Sequence, residues 1–230
     1  MGFLDQVLTR LKESMNIDEE DFIARKIYLE TRDPFKTLVA AILSQNTRES
    51  NAFKAYERLE KMVGVDPEKI YEAEYSILEE AIRPAGLSLM KSRAIKFLAW
   101  RARKKGWFEN LMSSNNIEDI RKKLTSVPGI GIKTADVLLV NLGFPVVPID
   151  THVRRVIRRL GIVDDGEKNY IRMQKKILEN ISLDNCLDLH FYLIKLGRTY
   201  CRDSKPLCDK CPLNDLCPSR NSEDSGRQVA

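Results

Sequence analysis

Four of the five cysteines fall in one short run, Cys201, Cys208, Cys211 and Cys217, with the spacing C-x6-C-x2-C-x5-C. Pro206, Pro212 and Pro218 interrupt any helix that would hold them apart, so the four thiolates can converge on one centre. Such a soft donor set suits an iron–sulfur cluster or a zinc ion. Zinc ribbons usually carry two C-x2-C knuckles, and only one is present. Disulfides fit less well, because Met1 to Leu11 mixes charged and apolar residues without the apolar core of a secretory signal. Spacing alone favours a cluster, with zinc next and disulfides last. Cys186, inside the apolar run Leu183 to Leu196, reads as a small buried thiol.

The rest of the chain carries helical patterns and almost no strand signal. Leu38 to Leu43 is apolar all round, and so is Val137 to Leu142 apart from Asn141, as expected of helices enclosed in a protein body. Amphipathic stretches at Ala52 to Met62 and Ser92 to Arg103 are separated by turn signals at Val65-Asp66-Pro67, Arg83 to Gly86 and Ser113 to Asn116. In Thr151 to Leu160, Val153, Val156, Ile157 and Leu160 form one face while Arg154, Arg155, Arg158 and Arg159 face the other way. The fold class is all-α. The 230 residues suit one large or two modest domains, and 43% hydrophobic residues suffice for a core. No segment approaches the ~20 apolar residues of a membrane span, so a soluble, intracellular, cytoplasmic protein is expected. A net charge of +5 with 31% charged residues permits an anionic partner without demanding one. Abundant Lys, Arg and Glu beside few Gln suit a thermophilic prokaryote.

Leu124 to Leu142 reads LTSVPGIGIKTADVLLVNL: a helix, a tight turn, a second helix. Pro128 fixes the entry, and Gly129 and Gly131 permit backbone angles and close approaches that a side chain forbids. The N–H groups opening the second helix favour an anion, for which a nucleic-acid phosphate is the natural candidate; a plain connecting turn is the alternative. Lys133 stands in the first turn of that helix among apolar residues. Desolvation and the helix dipole should lower its pKa and leave part of it as a nucleophilic neutral amine. Asp150, in Pro148-Ile149-Asp150-Thr151-His152, is a helix N-cap or a catalytic carboxylate.

In combination, V-P-G-I-G-I-K-T-A-D, I-D-T-H-V-R-R-V and L-G-R-T-Y-C with its cysteine run resemble the helix-hairpin-helix DNA glycosylases that carry an iron–sulfur cluster, over residues from about Pro34 to Cys217. The resemblance implies a [4Fe-4S] cluster on Cys201, Cys208, Cys211 and Cys217, with Lys133 as nucleophile and Asp150 as its carboxylate partner. It also implies that Gln45 and Asn46 of L-S-Q-N-T-R-E, and Leu87 of A-G-L-S-L-M-K-S, fill the stack when a base is extruded, with Gly129 and Gly131 on the phosphates. The implied architecture is two helical lobes with DNA in the cleft between them. Residues 26–143 form a six-helix barrel lobe with the hairpin, residues 1–25 plus 144–217 form the cluster lobe, and 218–230 form a disordered tail. The implied activity is that of a bifunctional glycosylase and abasic-site lyase, acting as a nucleoid-associated monomer on duplex DNA with a damaged base, of the oxidised-pyrimidine class, or an abasic site. Monofunctional mismatch glycosylases are the nearest alternative, but they typically lack the lysine, and Ala41 stands where the adenine-specific ones carry glutamate. A noncatalytic DNA-binding module would leave Lys133 and Asp150 unexplained.

Overall fold

The computed structural model describes residues 2–114 and 116–220. Residues 221–230 of the expected tail, and Asn115 in the expected turn at 113–116, lie outside the described residues. Among the described residues the chain is helical throughout, with no strand. In chain order the helices are α1 (Phe3–Ser14), α2 (Ile23–Thr31), α3 (Pro34–Leu43), α4 (Glu49–Met62), α5 (Pro67–Glu72), α6 (Tyr75–Ile82), α7 (Ser88–Ala102), α8 (Trp107–Met112), α9 (Ile117–Thr125), α10 (Ile132–Asn141), α11 (Thr151–Arg159), α12 (Tyr170–Leu178) and α13 (Cys186–Thr199). None is long and apolar enough to cross a membrane.

Residues Asp18–Phe144 form one compact unit, organised around α3. Asp33 starts this helix by accepting from the N–H groups of Phe35 and Lys36, and Pro34 occupies the first helical position, where its missing N–H costs nothing. Thr37 to Leu43 are at most 2% exposed. A helix with no polar face must be surrounded, and α2, α4, α7 and α10 pack against it. Each fully buried Leu or Ile of such a core contributes roughly 1.5–3 kcal/mol.

Within this unit α9 and α10 are cross-linked by a buried ion pair. Arg121 donates from Nε to Asp136 Oδ1 (2.8 Å) and from Nη2 to Oδ2 (2.9 Å), while Nη1 donates to Glu118 (2.6 Å). The Arg121 side chain is 6% exposed and that of Asp136 not at all. The fork satisfies both carboxylate oxygens, which lets the pair tolerate the interior.

Met1–Ile17 and Pro145–Ala230 form the other unit. Helix α1 buries Leu4, Val7, Leu8 and Leu11, an i, i+3, i+4, i+7 stripe. Helix α13 packs against both α1 and α11. Asp5 latches the N-terminal helix to the distant segment before α13: its carboxylate accepts from the Ser182 N–H (3.1 Å) and hydroxyl (3.0 Å), Asn185 Nδ2 (2.9 Å) and the Gly2 N–H (2.9 Å). Burial opposes the charge on Asp5, but the bonds from Asn185, Gly2 and Ser182 outweigh it and hold the carboxyl down at about 2. The division falls between Ile17 and Asp18, whereas the sequence suggested residue 26, which lies inside α2. Residues 18–25 join the 18–144 unit because α2 packs on α3 and the Ile23 N–H donates to Glu49 (3.3 Å).

Asp136→Ala should lower stability by about 3–5 kcal/mol in urea unfolding, since it strands a buried guanidinium, and pairing Asp136→Leu with Arg121→Met should recover much of the loss. For Asp5, the folded pKa lies below the ordinary 3.8, so the folded state binds fewer protons and the carboxylate's contribution is complete above that value. The stability gap between the native chain and Asp5→Asn should therefore hold above about pH 4 and shrink as the pH falls toward about 2, as read by acid titration of circular dichroism.

Candidate functional site

The hairpin between α9 and α10 takes the predicted form, yet its two glycines answer to different demands. Gly129 has φ +87°, and a Cβ there would lie 2.5 Å from the Ala94 Cβ of α7. The fold itself requires glycine at that position. Gly131 is the N-cap of α10 with φ −85° and ψ 171°, and a Cβ there would meet no atom of the described residues within 4 Å. The expectation that it supplies a special backbone angle is corrected, and no atom of the described residues makes a close approach there. Lys133 follows in the first turn of α10, partly exposed.

Two further loops lie beside the hairpin in the same unit. Gln45, just past the end of α3, donates from Nε2 to the Gly129 carbonyl (3.0 Å) and to Thr134 Oγ1 (3.0 Å). The amide expected to reach into a base stack is here anchored to the hairpin, next to Lys133. Asn46 follows with φ +51°. In the second loop Gly86 (φ +70°) and Leu87 (φ +51°) are left-handed in succession, and Leu87 is 53% exposed. A leucine in this region is strained by about 1–2 kcal/mol, and its apolar side chain faces water. Beneath both loops lies Lys91 of α7, 3% exposed. Its Nζ donates to the carbonyls of Leu43 and Ala85, each at 2.9 Å, and burial pushes its pKa down to about 8.

Asp150 belongs to the other unit. It caps α11, its Oδ1 accepting from the Val153 N–H at 2.7 Å. The segment leading to it is strapped by three side chains: Gln174 Nε2 donates to the Val147 carbonyl (3.1 Å), His190 Nδ1 to the Pro148 carbonyl (2.9 Å), and the Ile149 N–H donates to the Tyr170 hydroxyl (3.2 Å). The position of the carboxylate is thus fixed from α12 and α13 as well as by its own helix. Nearby His152 is held below its ordinary pKa by burial, aided by Arg155 and Arg198, and its Nδ1 accepts from Arg155 Nη2 (3.1 Å).

The four clustered cysteines line one pocket in this unit, with Tyr200, Pro206 and Asn214 among its other walls. All are thiols rather than disulfides. Burial pushes the Cys211 thiol up to about 11, so holding it as thiolate calls for a compensating cation. Among the described residues no three His, Cys, Asp or Glu side chains are gathered closely enough for a single metal ion. Four thiols lining one space are a donor set that an iron–sulfur cluster or a zinc ion could use.

Sequence reasoning missed the arginines that shape this pocket. Arg155 and Arg159 of α11 were expected to face away from the core, but both are donors to the cysteine segment. Arg155 donates to the carbonyls of Cys201 (2.8 Å) and Gly197 (2.9 Å), and Arg159 to those of Arg202 (2.6 Å) and Asp203 (3.2 Å) and to Cys201 Sγ (3.4 Å). Gly197 makes room for this packing, since a Cβ there would lie 2.9 Å from the His152 Cβ. Four arginines on one helix face was the available signal, but it reads equally as a solvated surface.

The profile of the HhH-GPD superfamily of base excision DNA repair proteins matches residues 39–182. Endonuclease III of Sulfolobus acidocaldarius is 37% identical over 219 residues, covering 94% of this chain and 96% of that protein. Endonuclease III of Escherichia coli K12 is 28% identical over 222 residues, covering 95% and 96%. A solved structure of a trapped endonuclease III–DNA covalent intermediate superposes with a TM-score of 0.73 at 27% identity, covering 97% of this chain and all of that one.

Gly129→Ala should lower the melting temperature by several degrees, because both the left-handed backbone and the Ala94 contact must yield. Gly131→Ala should leave it unchanged within about 1 °C.

Proposed function

Because the chain belongs to the HhH-GPD superfamily of base excision DNA repair proteins, we propose that it is a bifunctional DNA glycosylase and abasic-site lyase of the endonuclease III type, acting on duplex DNA. The observation that carries this reading is the helix-hairpin-helix with Lys133 in the first turn of α10, within a chain that matches endonuclease III over nearly its whole length. The lesion class is damaged pyrimidine, with oxidised bases foremost.

Glycosidic bonds are hidden inside a duplex, so the damaged nucleotide is first flipped out, at a cost of a few kcal/mol. Leu87, exposed on a left-handed backbone, and Asn46 with Gln45, once the Gln45 amide leaves Gly129 and Thr134, occupy the vacated stack and offset that cost. The Gly131 end of α10, bare of side chain, admits a backbone phosphate to the helix N-terminus, with Gly129 shaping the turn. The neutral amine of Lys133 attacks the anomeric carbon, and the base departs with the bonding electrons of the glycosidic bond. Asp150 stabilises the positive charge that develops on the sugar and takes up a proton released by the amine. The nitrogen lone pair then expels the ring oxygen as the C1′–O4′ bond breaks and O4′ takes up a proton, which opens the sugar as a Schiff base. This acidifies the adjacent carbon, and loss of that proton expels the 3′ phosphate and cuts the strand.

Cys201, Cys208, Cys211 and Cys217 would hold a [4Fe-4S] cluster of the kind the family carries, supported by their shared pocket and the arginine-braced loop. Its contribution would be structural, cross-linking a segment that has almost no regular structure of its own.

Borohydride should trap a covalent adduct between the native chain and duplex DNA carrying an abasic site, and Lys133→Ala should abolish it; an undiminished yield would overturn the assignment. Asp150→Asn retains a good N-cap, so folding and DNA binding should persist while base excision slows by roughly 100-fold or more.

A further inference from the structure

The first turns of α7 hold a charged side chain that the reaction above does not use. Lys91 is a basic residue on an otherwise ordinary helix, yet only 3% of it is exposed. Its two acceptors are not arbitrary carbonyls. Leu43 is the last residue of α3, two residues before Gln45, and Ala85 ends the turn two residues before Leu87. One nitrogen therefore spans the roots of both loops whose side chains enter the stack under the function proposed above. Each loop also carries a left-handed non-glycine residue, Asn46, which tolerates that region, and Leu87, whose side chain disfavours it, so the Leu87 turn does not hold itself.

We infer that Lys91 is a positioning residue, a strut that fixes the distance between the Gln45–Asn46 loop and the Leu87 loop so that both enter the duplex together. The hairpin is tied into the same assembly by Gln45, which bonds Gly129 and Thr134, and by the contact of Gly129 with Ala94, one turn of α7 beyond Lys91. A lysine suits the task because its long stem crosses the apolar interior and its nitrogen has enough N–H groups for both carbonyls. Without it two buried carbonyls lose their donor, and the loops gain freedom that must be frozen out at each encounter with DNA.

This inference rests on the glycosylase reading, and the test separates the two. Excision is measured for the native chain, Lys91→Met and Lys91→Arg on two duplexes carrying the same oxidised pyrimidine. One duplex is intact and the other lacks the nucleotide opposite the lesion, so that no paired partner has to be parted. Thermal melting is followed in parallel. Lys91→Met should lose roughly tenfold or more on the intact duplex and less than about threefold on the gapped one, with Lys91→Arg restoring part of the difference. An equal loss on both duplexes, or no loss, overturns the strut. If Lys91→Met does not fold, the same ratio is read from Lys91→Arg, and failure of both to fold makes Lys91 a core residue and overturns the inference. A native chain inactive on both duplexes, and giving no borohydride adduct with abasic-site DNA, overturns the glycosylase reading itself.

Discussion

Enclosure of α3 on every side is the constraint from which the 18–144 unit is built. A helix with an unbroken buried run from Thr37 to Leu43 has no face along which it can slide toward water, so α2, α4, α7 and α10 are fitted to it and it cannot be refitted to them. Its C-terminal end is a fixed point. The loop that begins there inherits that rigidity, and through Gln45 and Lys91 it passes the same reference frame to the hairpin and to the Leu87 turn. Three irregular segments with little hydrogen bonding of their own are thereby indexed to one buried rod.

The second unit reaches a comparable result by polar means. The segment after α13 has little core to offer, and its carbonyls are met instead by guanidinium groups from α11. Arg155 and Arg159 therefore belong to the internal hydrogen-bond inventory as much as to the surface. Part of the chain's positive charge is consequently already committed inside the protein. A count of basic residues overstates what remains for meeting an anionic partner.

Much of this was legible in the sequence wherever periodicity or spacing had one physical meaning. The all-round apolar runs became buried helices, the PGIG turn became the hairpin, and the cysteine run converged on one pocket. Legibility failed where one residue type serves two environments. The Arg155 and Arg159 face read as solvated because periodicity reports which side is polar and not what that side touches. Lys91 was invisible for the same reason: at its position in α7 a lysine is ordinary, and only the backbone trajectories of Leu43 and Ala85 make it exceptional. Gly131 failed in the other direction, since it was credited with a special backbone angle and has one that any residue adopts. The N-cap and catalytic readings of Asp150 turn out to be compatible, because capping engages Oδ1 and fixes where the carboxylate stands.

The Asp5 latch bears on how the chain is made. One unit draws on two segments separated by the whole of the other, so a ribosome delivers α1 long before Ser182 and Asn185 exist to receive it. Residues 18–144 are contiguous and can fold as they emerge, whereas α1, with its stripe of Leu4, Val7, Leu8 and Leu11, must wait in the open. Assembly of the cysteine-bearing body therefore waits on synthesis of the segment beyond residue 144, and the intervening unit has its own core first.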